Sequence, residues 1–241
     1  MPGYATRWAR SYDAWFGDNP HTDDTVETLA RLAGAGPVLE LGIGTGRVAL
    51  PLRERGVDVH GIDASAEMVE CLRAKPGGAG LPVTVGDLTA PPLREKTYAL
   101  IYIVGGTFFE LQTQQDQLRC FTAAAELLAP GGLFVLDALL PEAINGTDSA
   151  SGRPVPTAGT DLVLRYRVAD RTQQRYVSHY VIVDDEGVHH VRVPFRYAGH
   201  GELDLMASLA GLRLQHRWGG WDRRPFGAAS TFHVSAYQAA D

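Results

Sequence analysis

The sequence predicts an α/β protein built on a mostly parallel sheet, and three observations carry that reading. Short apolar segments alternate with helical patterns through residues 22–136, as they do where a parallel sheet is covered by helices on both faces. The first of these segments runs directly into Gly42-Ile-Gly-Thr-Gly46, and glycine suits a tight strand-to-helix connection because it has no Cβ. After residue 160 the pattern changes to consecutive strands, which predicts an antiparallel insertion, and the strand-helix alternation then resumes.

Each element follows from its own residues. Residues 22–32 place Val26, Leu29 and Ala30 at helical spacing behind Thr22, Asp23 and Asp24, a capping residue and an acidic first turn. Residues 38–41 form a short apolar strand, and 48–55 read as a helix. Residues 57–62 repeat the pattern, ending at Asp63; Ser65 then caps a helix that closes near Lys75. Strands are expected at 82–85, 98–104 and 133–136, with a long helix at 112–128 whose Leu118, Phe121, Ala125 and Leu128 share a stripe. Residues 141–160, rich in Pro, Gly, Ser and Thr, have no period, and a loop of that length inside a domain is often functional. Three insertion strands are expected at 161–168, 174–183 and 188–197. A helix at 201–210, a strand at 212–218, a turn-rich run at 219–229 and a last strand at 231–237 complete the chain.

With 241 residues and no clean linker, the chain reads as one domain, 1–241. Within it, 1–34 forms an amino-terminal lid and helix, and 141–199 a loop plus antiparallel insertion acting as a substrate cap. A net charge of -6 gives no general attraction for a phosphate backbone, so nucleic acid is not an expected partner. No apolar run approaches the roughly 18 residues of a membrane span, and the amino terminus carries charge and aromatics where a signal peptide is apolar, so a cytoplasmic protein is expected. Cys71 and Cys120 lie in helical patterns and read as reduced and inert.

The strongest local signal is Leu39-Glu40-Leu41-Gly42-Ile43-Gly44-Thr45-Gly46-Arg47 between a strand and a helix. Such a turn lets a ligand approach the backbone, and the helix after it favours negative charge. Arg47 stands where a dinucleotide fingerprint needs glycine, which weakens a nicotinamide dehydrogenase reading, and the Lys-Ser/Thr pair of a phosphate-binding P-loop is absent. Asp63, about 20 residues beyond the turn, sits where a ribose-binding acid belongs in this topology. Asp87 holds the same edge after the third strand and suits an adenine amino group, while Ala64 and Met68 can line the base.

These residues, with Gly86-Asp87 and the terminal strand, resemble the class I S-adenosylmethionine-dependent methyltransferases over residues 12–237. The resemblance implies a Rossmann-like seven-stranded sheet of order 3-2-1-4-5-7-6 with the last strand antiparallel. It implies that Glu40, Gly42, Gly44 and Gly46 hold the methionine moiety, Asp63 the ribose, Met68, Asp87 and Leu88 the adenine, and Val104 with Gly105 the region beside the sulfonium. Tyr12-Asp13-x-Trp15-Phe16 resembles the aromatic lid of small-molecule N- and O-methyltransferases of bacterial secondary metabolism, among them the amino-sugar N-methyltransferases, which also carry an insertion after the fifth strand. Tyr12 would then touch the cofactor. Nucleic-acid adenine methyltransferases carry an Asp/Asn-Pro-Pro-aromatic tetrad where this chain has Gly105-Gly-Thr-Phe-Phe109, and Asp137 lacks the companions of a magnesium-dependent catechol enzyme, so no metal is expected.

The expected activity is methyl transfer from S-adenosylmethionine, leaving S-adenosylhomocysteine, to an amine or hydroxyl of a small metabolite. Its alternative is a non-catalytic protein that binds S-adenosylmethionine or a nucleoside on the same fold. His200, His179 and Asp137 are the candidate catalytic residues, each near the expected carboxyl edge or on the insertion. His189 and His190 are adjacent on a strand and point to opposite faces, which makes them a poor joint metal site. Trp15, Phe16, Phe108, Phe109, Trp221 and Arg223 are candidates for the acceptor pocket, the aromatics for shape and Arg223 for an anionic group. A monomer or a homodimer fits the sequence equally.

Overall fold

The computed structural model describes residues 9, 12–14, 16, 17, 19–93, 98–145, 153–155, 162–185 and 187–239. Seven strands form the main sheet: β1 (Val38–Leu41), β2 (Val59–Asp63), β3 (Val83–Val85), β4 (Tyr98–Ile103), β5 (Leu128–Leu139), β10 (Leu212–Trp218) and β11 (Phe232–Ala239). Their spatial order is β10-β11-β5-β4-β1-β2-β3, which is the expected 3-2-1-4-5-7-6 once β10 and β11 are counted as the sixth and seventh. The first five are parallel, and β11 is antiparallel to both neighbours.

Alternation along each strand divides the core into two layers. Leu39, Leu41, Ile101, Ile103, Phe134 and Leu136 face Phe121 of α4 (Gln114–Leu127) and Leu203 and Met206 of α6 (His200–Leu209). Val38, Leu100, Tyr102, Val135 and Val234 face α1 (Thr22–Ala33), α2 (Ala49–Glu54) and α3 (Ala66–Arg73) through Val26, Leu29, Leu52 and Leu72. By the same alternation Glu40 points into the second layer, level with Tyr102 of β4. Ser65 caps α3, its hydroxyl accepting from the Met68 amide at 3.2 Å, so the chain leaving β2 turns immediately after Asp63.

The expected turn at 130–132 lies inside β5. Tyr98 pairs with Leu128 while Leu100 pairs with Leu133, and the extra residues bulge at Gly131, which has a positive φ of 77°. The stretch 141–160 also holds more structure than its composition suggests: a short helix α5 (Pro141–Asn145) and a strand β6 (Arg153–Val155). The insertion sheet therefore has four strands rather than three, in the order β6-β7-β8-β9, with β7 (Leu162–Asp170), β8 (Arg175–Asp184) and β9 (Gly187–Arg196).

Polar contacts, the innermost of them buried, fix that sheet over the main one. Arg196, at the end of β9, donates to Gln117 Oε1 at 2.5 Å and to Glu202 Oε1 at 2.6 Å, and the Gln117 amide returns a bond to the Arg196 carbonyl at 2.8 Å. Gln112 donates to the Pro194 carbonyl at 2.7 Å. Among the described residues no helix is long and apolar enough to cross a membrane.

Candidate functional site

Strand order reverses between β1 and β4, and in open α/β sheets a ligand crevice forms beyond the carboxyl ends at that point. Here the crevice is a cavity of about 930 Å³, at the upper end of the range for small-molecule sites. The glycine turn and the segment after β4 form its floor at close quarters: a Cβ on Gly42 would lie 2.5 Å from Thr107 Cγ2. Gly42 also has φ 76°, so both its backbone and its neighbour require glycine. Gly44 differs. Its φ is 53°, and a Cβ there would meet nothing within 4 Å, because the residue borders the open cavity.

Asp63 closes β2 with its carboxylate against the turn. Oδ2 accepts from the Gly44 amide at 2.7 Å and Oδ1 from the Ser65 amide at 2.8 Å, leaving a second lone pair on each oxygen for a ligand. Burial raises its pKa, and the backbone bonds oppose that rise. Asp87 uses one oxygen, Oδ1, for both the Thr89 amide (2.8 Å) and the Thr89 hydroxyl (2.9 Å). Glu40 is 3% exposed, accepts from the Tyr102 hydroxyl at 2.9 Å, and is pushed by burial from the ordinary 4.5 to about 8. Arg47, the residue that breaks the dinucleotide fingerprint, supplies the positive charge facing Glu40 and donates to Thr22 Oγ1 at 3.0 Å. Ala64, Met68, Leu88, Val104 and Gly105 also line the cavity. Gly46 does not: a Cβ there would press on Leu50 and Leu72 at 3.0 and 3.1 Å, so it shapes the turn from beneath while Thr45 faces the cavity.

The amino-terminal segment and the insertion enclose the other half. Tyr12 and Phe16 line the cavity, their rings 5.0 Å apart, and Phe16 meets Tyr180 of β8 edge-on at 5.5 Å. Burial pushes the Tyr12 phenol up to about 12. Between them Asp13 reaches the floor, accepting from the Thr45 hydroxyl at 2.6 Å and pairing with Lys75 at 2.5 Å. Trp15 lies outside the described residues. Arg165 of β7, Tyr180 and Val193 and Phe195 of β9 form the roof, all on the inner face of the insertion.

Several expected acceptor-side residues lie elsewhere. Residues 107–110 form a 3₁₀ turn, in which positions three apart eclipse. Thr107 and Glu110 therefore share the cavity side, while Phe108 and Phe109, each 1% exposed, enter the core against Phe121. Sequence reasoning passed over Glu110. Two adjacent Phe residues flanked three apart by Thr and Glu were the signal that could have found it. Its side chain is exposed to the cavity, and desolvation by the surrounding protein, with Asp63 as a like charge, pushes its carboxyl from 4.5 up to about 7.

The three candidate catalytic residues also stand off the cavity wall. His179 alternates with Tyr180, so it occupies the outer face of the insertion, stacked on Tyr166 (4.5 Å) and bonded to His190 at 2.9 Å. His200 opens α6 with its ring against Phe226 and His233. Asp137 sits two residues before the end of β5, 5% exposed, accepting from the Gly105 amide (3.2 Å), the Gly106 amide (3.3 Å) and Trp221 Nε1 (3.0 Å). Trp221 is thereby a buried brace rather than a pocket wall. Arg223 is exposed at the turn, with φ 58°. Among the described residues no three His, Cys, Asp or Glu side chains converge as a metal site.

Comparison with known proteins follows the same lines. Residues 38–132 match the family model described as a methyltransferase domain. The CcbJ methyltransferase of Streptomyces caelestis is 37% identical, superposes with a TM-score of 0.89, and covers 99% of this chain and 98% of its own. The cypemycin N-terminal methyltransferase of a Streptomyces species is 27% identical over 194 residues, 80% of this chain and 79% of the relative. CalS10 of Micromonospora echinaspora, an amino pentose methyltransferase solved with S-adenosylmethionine bound, shares the fold at 20% identity, with a TM-score of 0.67 over 98% of this chain and 96% of its own.

Proposed function

The chain belongs to the class I S-adenosylmethionine-dependent methyltransferases, enzymes for which S-adenosylmethionine is the methyl donor, and from that premise we propose how its cavity divides the work and what it methylates. One observation carries the reading: a single cavity runs from the glycine turn and Asp63 to the inner face of the insertion, so donor and acceptor share one enclosed space.

The residues present fit the cofactor. Gly44 borders a space that any side chain would enter, Asp63 keeps a lone pair on each oxygen for two ribose hydroxyls, and Asp87 keeps Oδ2 for an adenine amino group. Glu40 and Arg47 offer opposite charges to the ammonium and carboxylate of the methionine moiety. When bound, S-adenosylmethionine supplies the activated methyl group and its leaving group. The protein must then hold an acceptor atom about 3–3.5 Å from that methyl and keep water out. Tyr12 and Phe16 close one side, latched by Asp13 to Thr45 and Lys75, and the aromatic inner face of the insertion closes the other.

The acceptor is an amine or hydroxyl of a small, largely apolar metabolite from secondary metabolism, and the enzyme works in the cytoplasm without nucleic acid as substrate. The methyltransferase relatives from Streptomyces support this reading. Incubation of the protein and isotopically labelled S-adenosylmethionine with a metabolite panel, followed by mass spectrometry, tests it. Label in a small product together with released S-adenosylhomocysteine is expected; label confined to protein or nucleic acid overturns it.

A further inference from the structure

We propose that Glu110 docks a basic nitrogen of the acceptor as its ammonium and takes the proton that the nitrogen must lose before it can be methylated. The inference rests on the methyltransferase reading above and narrows its acceptor from amine or hydroxyl to a basic amine. The ionisable residues of the cavity fall into two groups. Glu40, Arg47, Asp63 and Asp87 surround the glycine turn and the ends of β2 and β3, where the cofactor belongs. Toward the insertion the cavity presents Glu110 from the floor and Arg165 from the roof, among Phe16, Leu111, Val193 and Phe195. Glu110 projects from the 3₁₀ turn that Gly106 joins to Val104 and Gly105, so it stands beside the junction of the two halves.

Among the described residues, the charged and titratable groups around Glu110 give it no cation. Asp63 at the end of β2 is a like charge, and Tyr12 from the amino-terminal turn and Tyr176 from β8 each feel its negative charge. Tyr180 and Arg165 line the same cavity, and Arg165 is not among the groups that hold the Glu110 carboxyl down. A carboxyl that opens into the cavity with no cationic partner among the described residues is the arrangement that a cationic ligand completes. Its pKa near 7 lies within a few units of an ammonium near 10, close enough to exchange a proton at neutral pH and far too low to ionise an alcohol.

The step balances simply. An N–H bond of the ammonium breaks, its electron pair stays on nitrogen as the nucleophilic lone pair, and an O–H bond forms on a Glu110 carboxylate oxygen. That proton passes to solvent when the pocket opens.

Binding tests the idea without turnover. Wild type and Glu110→Gln, each saturated with S-adenosylhomocysteine, are titrated by NMR with piperidine and with tetrahydropyran, its uncharged oxygen counterpart, above and below pH 7. We expect piperidine to bind wild type at least tenfold more tightly than Glu110→Gln, and tetrahydropyran to bind both alike. We also expect the wild-type preference for piperidine to fall as pH drops through 7 and Glu110 gains its proton. Equal piperidine affinity in the two proteins overturns the proposal. If Glu110→Gln loses S-adenosylhomocysteine, Glu110→Asp replaces it, and retained piperidine binding with a shifted pH midpoint is then expected; an unmoved midpoint overturns the proposal. Wild type that fails to bind S-adenosylhomocysteine removes the cofactor reading itself, an outcome separate from loss of amine preference.

Discussion

Glu40→Gln should make the ligand-free protein more stable while weakening its hold on the cofactor. Glu40 is almost fully buried, its nearest donor is the neutral Tyr102 hydroxyl, and burial raises its pKa from 4.5 to about 8 against the opposing pull of Arg47. The folded protein therefore binds this proton more tightly than the unfolded chain. Stability from this group is complete below about pH 4.5 and is lost as pH rises toward 8. Between about pH 4.5 and pH 7 the loss amounts to about 3 kcal/mol. Gln keeps the shape and accepts the Tyr102 hydroxyl but has no charge to bury. The melting temperature of the variant relative to wild type should thus rise by roughly 6–12 °C on going from the lower pH to the higher. Calorimetry of the two ligand-free proteins at both pH values reads this directly, and titration with S-adenosylhomocysteine reads the expected tenfold or greater loss of affinity. A difference in melting temperature that stays constant across the interval would refute the claim that folding opposes ionisation of Glu40.

Three further outcomes follow from the same geometry. Gly44→Ala should cost about 1–2 kcal/mol of stability, because φ 53° is left-handed, yet its methyl enters the cavity and should lower affinity for S-adenosylhomocysteine at least tenfold; unchanged affinity means the cradle is not a ligand site. Asp63→Ala should weaken the same ligand by about 2–4 kcal/mol in a folded protein if it accepts from the two ribose hydroxyls as proposed; calorimetric titration measures it, and wild-type affinity excludes Asp63 from the site. Asp13→Ala breaks the tie from the amino-terminal turn to Thr45 and Lys75, a partly exposed ion pair of little thermodynamic weight, so the melting temperature should hardly move while kcat/KM falls about tenfold or more; kinetics at wild-type level would show that the turn closes without its latch.

The half of the cavity around the glycine turn was legible because its signals are local. Gly42, Gly44 and Asp63 are read from one strand-turn-helix unit and the strand after it, and the parallel sheet brings them together. Asp87, Met68 and Leu88 follow from the same edge. The acceptor half depends on the phase of an element, and composition does not reveal phase. A one-residue difference along β8 separates Tyr180 on the cavity wall from His179 on the outer face. The three-residue repeat of the 3₁₀ turn turns Phe108 and Phe109 inward and Glu110 outward. Asp137 and Trp221 look like site residues in the sequence because each stands near a strand end, but they meet each other across 84 positions, a pairing that only the antiparallel placement of β11 beside β5 reveals. β6 escaped notice because three residues in a Pro- and Ser-rich stretch carry no period.

That contact between Trp221 and Asp137 has a consequence for how the enzyme comes into being. Asp137 holds the amides of Gly105 and Gly106, and Gly105 is part of the cavity wall; the Trp221 carbonyl in turn accepts from the Thr28 hydroxyl at 2.8 Å. A nascent chain that has left the ribosome as far as β5 already carries the glycine turn, Asp63 and Asp87, yet its buried Asp137 carboxylate still lacks the indole that completes its partners. The segment after β10 supplies it 84 residues later, and β11 must then slide between β5 and β10 rather than add to an edge. Synthesis thus delivers the glycine turn early and the brace of Asp137 late, so the segment at 105–106 takes its final form only as the last strands dock.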